Sequence, residues 1–97
     1  MRIIAKRTLR LFWVAHPVAR TRLEDWYAQT VAADWATPAD LKAQFGDASI
    51  IKRSRVVFNI SGNRFRVVVK INFPYRVVYV RFVGTHAEYD EIDANTV

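Results

Sequence analysis

A histidine and a tyrosine near the end of the chain are the residues whose types best suit proton transfer. His86 and Tyr89 lie in the segment Gly84-Thr85-His86-Ala87-Glu88-Tyr89-Asp90. An imidazole exchanges protons near neutral pH, and a tyrosine three residues away can join it or stack on a nucleobase. A lone histidine in a loop can equally make a structural hydrogen bond, so the residue types leave both roles open.

The segment from Ala48 to Ala87 places positive charge beside this pair, because it contains no aspartate or glutamate. Its basic residues are Lys52, Arg53, Arg55, Arg64, Arg66, Lys70, Arg76 and Arg81. Arg66 and Lys70 are four residues apart on one predicted strand, which places them on the same face about 13 Å apart. Two such cations can hold neighbouring phosphates, and the planar fork of arginine suits the tighter contact. A solvated strand face is the alternative, although such faces usually mix both signs of charge.

Composition limits the class of protein. The 97 residues suffice for one core, so we predict a single domain over 1–97. The chain has no cysteine, which excludes disulfides, thiolate metal sites and a cysteine nucleophile. Without a signal-peptide pattern or a membrane-spanning run, we expect a soluble, cytoplasmic protein with no membrane partner. The net charge of +6 favours a polyanion such as nucleic acid.

Cofactor motifs are missing from the sequence. It has no P-loop, Rossmann glycine pattern or nucleophile elbow. The two histidines do not form a metal motif, and His16, at the end of a predicted helix, is expected to be structural. The acidic residues near the C-terminus are interpreted as a solvated tail rather than a divalent-ion site. We therefore predict no cofactor.

Hydrophobic periodicity predicts the elements that position the basic residues. A short strand is expected at residues 1–4, and helices from Lys6 to Pro17, from about Ala19, and from a cap at Thr37 to about Phe45. The second half alternates apolar and polar residues, which predicts strands separated by turns at residues 61–63 and 73–75. In the last strand, alternation places Val77, Tyr79, Arg81 and Val83 on one face and Arg76, Val78, Val80 and Phe82 on the other.

These elements predict an α+β fold, with the N-terminal helices packed on one face of a twisted, mainly antiparallel sheet. The opposite face is expected to be open and basic. Its predicted residues are Asn59, Arg64, Arg66, Lys70, Tyr79 and Arg81.

Three long runs carry a resemblance to a known family. Residues 55–60, 63–72 and 80–90, together with the shorter runs 6–10, 33–35 and 42–45, resemble HigB toxins of bacterial type II toxin–antitoxin systems. The resemblance covers nearly the whole chain. It implies a RelE-like fold and mRNA interferase activity, in which an endoribonuclease cuts translated mRNA in the ribosomal A site and so inhibits translation.

The resemblance also implies partners. They are the ribosome, the mRNA on it, and a HigA-type helix-turn-helix antitoxin that neutralises the toxin. Operator DNA is contacted only indirectly, through the antitoxin.

Roles for single residues follow from the same resemblance. Arg66 matches the strand arginine that RelE-like toxins place at the scissile phosphate. His86 falls where relatives have a catalytic arginine or histidine, and Tyr89 lies near a tyrosine used in several relatives. Asn59 stands where the RelE archetype has a strand lysine, so the general base is left to His86 or another group, and Lys70 is the candidate for the missing positive charge.

The resulting hypothesis is a metal-independent attack of the RNA 2′-OH on the adjacent phosphorus. The catalytic candidates are Arg66, His86, Lys70 and Tyr89, and the RNA-binding candidates are Asn59, Arg64, Arg81 and Tyr79. The rival hypotheses are a non-catalytic RNA- or ribosome-binding module that uses the same basic face, and a module that docks an acidic protein there.

Overall fold

The computed structural model describes residues 1–52 and 54–97, and over these residues it has four α-helices and one five-stranded sheet. Arg53, one of the basic residues noted above, lies outside the described residues. The helices are α1 (Lys6–Ala15), α2 (Arg20–Ala32), α3 (Pro38–Gln44) and α4 (His86–Asp90), with a 3-10 turn at Pro17–Ala19. The strands are β1 (Arg2–Ile4), β2 (Ser49–Lys52), β3 (Arg55–Ile60), β4 (Phe65–Asn72) and β5 (Val77–Thr85).

The predicted α+β class is confirmed. The strand order is β1-β5-β4-β3-β2, with β1 parallel to β5 and all other neighbours antiparallel. The three expected helices form near their expected bounds, and Thr37 starts α3 with a capping box in which it exchanges hydrogen bonds with Asp40. The structure adds β2 and α4, which the periodicity did not predict because elements of four and five residues are too short for a repeating apolar pattern to stand out.

The main core lies between the sheet and the helices. Leu9 and Trp13 of α1 and Leu23 and Trp26 of α2 are buried against the inner face of the sheet. Trp35, which could have been a stacking platform for bases, is 2% exposed and belongs to this core. The strands contribute the following inner-face residues to this main core: Val56, Phe58, Ile60, Phe65, Val67, Val69, Ile71 and Val78.

The opposite, outer face of the sheet is not fully open, which corrects the prediction. Val57 and Val68 lie on this face and form a second apolar cluster with Ala94, and Ile92 and Val97 pack against it. A strand face that carries valines needs apolar cover, so the C-terminal segment folds back instead of remaining a solvated tail. Arg55 holds the C-terminal segment against this face by donating hydrogen bonds to the carbonyl oxygens of Ala94 and Val97 at 3.3 and 2.7 Å.

A β-bulge in β5 changes the predicted alternation. Val68 pairs with Phe82 and Val69 pairs with Val80, so Arg81 has no partner in β4. Tyr79 and Arg81 share a face as predicted, but Val83 turns to the main core and Phe82 to the outer cluster, contrary to the prediction. Within the described part of the chain, no helix is long and apolar enough to cross a membrane.

Candidate active site

Arg66 stands on the outer face of β4 at the end of the sheet nearest α4. It pairs with Asn59 of β3 on one side and with Gly84 of β5 on the other. Only 7% of its surface is exposed, which is unusual for an arginine and requires partners for the charge.

Asn63, in the turn before β4, supplies most of those partners. Arg66 Nη1 donates to the Asn63 carbonyl oxygen at 3.1 Å and to the Phe65 carbonyl oxygen at 3.2 Å, and Nη2 donates to Asn63 Oδ1. Because Asn63 accepts from both terminal nitrogens, the guanidinium is anchored by its end. Among the described residues, Arg66 Nε–H makes no hydrogen bond to the protein.

The Nε–H group of Arg66 can still be reached from solvent. Among the described residues, Trp26 Nε1 and Thr30 Oγ1 are the only side-chain polar atoms that lack both a hydrogen bond and contact with solvent. Arg66 Nε makes no hydrogen bond and is not one of these two atoms, so it retains contact with solvent. Nε–H and one Nη2 hydrogen point the same way and can donate together to two oxygens of one phosphate. The end anchor therefore presents a fixed two-donor fork for a phosphate.

Tyr89 covers the flat side of this guanidinium. The Arg66 Cζ atom lies 5.7 Å from the centroid of the Tyr89 ring, within the range of a cation–π contact. Tyr89 also packs against the outer cluster that contains Val57 and Val68, so α4 is held in place by apolar contacts. Arg66 and Tyr89, two of the predicted catalytic candidates, are thus in direct contact.

His86 begins α4 beside this arginine. Its backbone N–H donates to the Arg64 carbonyl oxygen at 2.9 Å, which continues the β4–β5 pairing by one step. In that register His86 is a diagonal neighbour of Arg66, and such residues lie about 7–8 Å apart in a regular sheet.

Asp90 orients the imidazole of His86. His86 Nδ1 lies 3.0 Å from Asp90 Oδ2, and the two residues are four apart on α4. A hydrogen on Nδ1 bonded to the carboxylate leaves Nε2 as the ring nitrogen free to accept or donate a proton. Both side chains are partly exposed, at 43% and 58%, so substrate can approach the ring.

A capping box fixes the first turn of α4. Thr85 Oγ1 accepts from the Glu88 N–H at 3.1 Å, and Glu88 Oε1 accepts from the Thr85 N–H at 2.9 Å. The hydrogen bond from the Thr85 backbone lowers the pKa of Glu88, against a smaller opposing effect of burial. The cap thus sets where His86 stands.

Gly84 allows α4 to fold close to the sheet. A Cβ at Gly84 would lie 2.5 Å from an atom of the Phe82 ring and 3.3 Å from Glu88 Cβ. Since Gly84 is buried directly opposite Arg66, the missing side chain makes room for the turn that carries His86 back over the sheet edge.

Of the remaining candidates near this end of the sheet, Asn59 is the direct neighbour of Arg66 on β3, whereas Arg64 lies off the outer face. The Asn59 amide donates to the Asp47 carbonyl oxygen at 3.2 Å, which ties it to the chain before β2. Arg64 was expected on the outer face, but it precedes β4 and its guanidinium lies 5.5 Å from the centroid of Phe65, a main-core residue. It lines a cleft with α2 instead. His16 stacks on Phe12 with the ring centroids 4.4 Å apart, in agreement with a structural role.

Lys70, Tyr79 and Arg81 form a second group at the opposite end of the outer face. Lys70 pairs with Tyr79 across the sheet, and all three line one pocket. The apolar outer cluster, with Val68 at its centre, lies between this group and Arg66. The structure therefore brings together Arg66, His86 and Tyr89, and separates Lys70 from them.

Sequence reasoning missed two residues of the site, Asn63 and Asp90. Asn63 was interpreted only as a turn residue, and Asp90 only as part of a solvated acidic tail. The i, i+4 spacing of His86 and Asp90 was a usable signal, but it required the knowledge that α4 is a helix. Nothing in the sequence indicated that Asn63 would anchor Arg66.

Comparison with known proteins finds relatives that match most of the chain. Residues 19–92 match the sequence model of a family described as HigB_toxin, RelE-like toxic component of a toxin-antitoxin system. The chain is 29% identical over 94 residues to "mRNA interferase HigB" of Escherichia coli O6:H1, covering 95% of this chain and 91% of that protein. It is 32% identical over 92 residues to "mRNA interferase toxin HigB" of Escherichia coli K12 and to "mRNA interferase HigB" of Shigella flexneri, covering 93% of this chain and 88% of each relative.

The family match spans most of the chain and includes the strands and the helix that carry Arg66, His86 and Tyr89. Relatives above 30% identity are covered over most of their length. The chain therefore belongs to the HigB toxin family, the RelE-like toxic components of toxin–antitoxin systems.

Proposed function

We propose that this protein is an mRNA interferase, an endoribonuclease that cuts mRNA on the ribosome without a metal ion. The observation that carries the proposal is the end-anchored guanidinium of Arg66, which contacts Tyr89 of α4, the helix that also carries the Asp90-oriented imidazole of His86. The relatives named mRNA interferase support the same activity. The antitoxin that family membership implies is proposed to be of the helix-turn-helix HigA type.

In the proposed reaction the RNA supplies its own nucleophile. The 2′-OH attacks the adjacent phosphorus, a 2′-O–P bond forms and the P–O5′ bond breaks, which leaves a 2′,3′-cyclic phosphate and a 5′-hydroxyl. His86 Nε2 accepts the proton of the 2′-OH, and solvent water protonates the leaving 5′ oxygen. Arg66 donates two hydrogen bonds to the phosphate oxygens as negative charge develops on them.

Tyr89 has a positioning role in this proposal. Its ring holds the guanidinium flat from one side, so that the free donors keep one direction. A rigid donor that is already oriented stabilises the transition state without a reorganisation cost when the reaction occurs.

The test is a reconstituted translation reaction to which the purified protein is added, with new RNA 5′ ends mapped in the presence and absence of ribosomes. We expect cuts inside the reading frame only with ribosomes, and 5′-hydroxyl ends. An mRNA with a single 2′-deoxynucleotide at the cut position should resist cleavage there, because it lacks the nucleophile.

Variants separate chemistry from binding. His86→Ala should reduce cleavage by about 10²–10⁴-fold, whereas His16→Ala, a matched loss of an imidazole outside the site, should not. Cleavage of the 2′-deoxy message, or 5′-phosphate ends, would contradict the mechanism. Binding to RNA or ribosomes with no cleavage by folded protein would instead favour the non-catalytic module.

A further inference from the structure

The group of Lys70, Tyr79 and Arg81 lines a pocket on the outer face that the proposed cleavage reaction does not use. Its volume is about 530 Å³, and its other walls include Asn72, Phe73 and Pro74. Pockets of about 300–1,000 Å³ accommodate small molecules. It lies four residues along β4 from Arg66, a distance of about 13 Å.

Among the residues that the structure describes, the cations of this pocket have no acidic partners. Among the described residues, the ion pairs join Arg20 to Glu24, Arg76 to Asp34 and His86 to Asp90, and none involves Lys70 or Arg81. Arg55, which pairs with Lys70 in the sheet, is instead engaged by the C-terminal segment. Two positive charges at one pocket without an anion favour an anionic ligand.

An aromatic ring lines the same pocket and contacts one of these charges. The Arg81 Cζ atom is 5.7 Å from the centroid of the Tyr79 ring, and Tyr79 stands directly opposite Lys70. The β-bulge leaves Arg81 unpaired in β4, so its side chain shares the pocket with Tyr79 while Phe82 packs into the outer cluster. An aromatic face with flanking cations is the arrangement that single-stranded nucleic acids use, with a base stacked on the ring and a phosphate on the cations.

We propose that this pocket binds one nucleotide of the RNA, with its base stacked on Tyr79 and its phosphate held by Lys70 and Arg81. The proposal rests on RNA being the substrate and assigns Lys70 to binding instead of to the reacting phosphate. The apolar outer cluster separates the bound nucleotide from the Arg66 fork. The pocket would therefore contribute to the affinity for RNA and to the choice of cutting position.

The direct test is a titration of ¹⁵N-labelled protein with each of the four ribonucleoside 5′-monophosphates, and separately with inorganic phosphate, followed by NMR chemical shifts. We expect the amide signals of Lys70, Tyr79 and Arg81 to shift with nucleotide. Stacking of a base should make nucleotide binding tighter than phosphate binding by about 5- to 150-fold. Tyr79→Ala should remove that advantage, and Lys70→Gln with Arg81→Gln should weaken both ligands.

Arg10→Gln is the matched control, since it removes the same charge from an exposed position on α1. It should leave the titration unchanged. Equal affinity for phosphate and nucleotide would reduce the pocket to a simple anion site, and shifts confined to Arg66 and His86, or no shifts, would also overturn the proposal.

Cleavage assays distinguish this proposal from the proposed function. His86→Ala should reduce cleavage by about 10²–10⁴-fold but leave nucleotide binding in the pocket intact, whereas Tyr79→Ala should raise KM or alter the set of cut positions. If the wild-type protein binds nucleotides at Tyr79 but never cleaves RNA, the proposed nucleotide pocket is supported and the proposed nuclease activity is refuted. If it cleaves RNA and Tyr79→Ala cuts with the same KM at the same positions, the pocket proposal fails.

Discussion

Replacing Val68 with alanine tests the finding that the outer face of the sheet is a second, buried surface. Val68 is 0% exposed, and the outer cluster includes Ala94 and the packed side chains of Ile92 and Val97. If the C-terminal segment covers Val68 in solution, the substitution must leave a cavity. If that segment is a solvated tail, Val68 lies at the surface and its truncation costs little.

The expected magnitude follows from the atoms removed. Val68→Ala deletes two methyl-sized groups, worth about 0.8 kcal/mol each in transfer free energy, or about 1.6 kcal/mol together. The cavity left in a close-packed cluster adds to this, so we expect the free energy of unfolding to fall by roughly 2 kcal/mol. For a chain of this size that corresponds to a decrease in Tm of about 8–16 °C.

Urea unfolding followed by circular dichroism measures this change. Val14→Ala is the matched control, because Val14 is 74% exposed on α1 and should stay within about 0.5 kcal/mol of the wild type. Ile92→Ala and the double variant complete a double-mutant cycle, for which we expect a coupling of about 0.5 kcal/mol or more. A cost at Val68 no larger than at Val14, with no coupling to Ile92, would refute the covered outer face.

Four further predictions concern the site. Asp90→Asn should lower RNA cleavage by about 5- to 30-fold, the factor that 1–2 kcal/mol gives, because His86 loses a charged partner; an unchanged rate in the translation assay would show that the pair does not orient the ring. Arg66→Lys keeps the charge but loses the two-donor fork, so cleavage should fall by about 10²-fold with the fold retained by circular dichroism; full activity would mean that charge alone suffices. Thr85→Ala should cost about 1 kcal/mol in urea unfolding. The pKa of Glu88 is lowered in the folded state, so Glu88 contributes to the free energy of unfolding above the ordinary pKa of glutamate, and this contribution is lost as pH falls through the lowered pKa. A Glu88→Gln variant whose free energy of unfolding depends on acidic pH in the same way as that of the wild type would contradict this.

Much of the inner layer could be predicted from the sequence because its signals are local. The stripe of Leu9 and Trp13, the proline after α1 and the capping residue Thr37 each act within one or two turns of a helix. Alternation along β4 likewise placed Arg66 and Lys70 on one face, as the register with β3 and β5 confirms. These patterns depend only on the periods of helix and strand.

The outer face could not be predicted in the same way, because its contacts join residues distant in sequence. Val68 is buried by a segment more than twenty residues later, and the bulge at Arg81 depends on how β5 pairs with β4. A single unpaired residue reverses the facing of every side chain beyond it, so alternation alone misplaced Phe82 and Val83.

The sequence by itself determined that one sheet face carries positive charge and that an imidazole and a phenol follow the last strand of that sheet. Residue types and strand periodicity require no tertiary information. Tertiary structure alone decided which of these groups meet. The turn at Asn63 anchors Arg66 by its end, α4 brings Tyr89 and the His86–Asp90 pair to it, and the covered cluster around Val68 keeps Lys70 apart. The physical reason for the contacts of α4 and for the cover over Val68 is packing of the chain's last residues onto the sheet, which hydrophobic burial drives and local sequence does not encode.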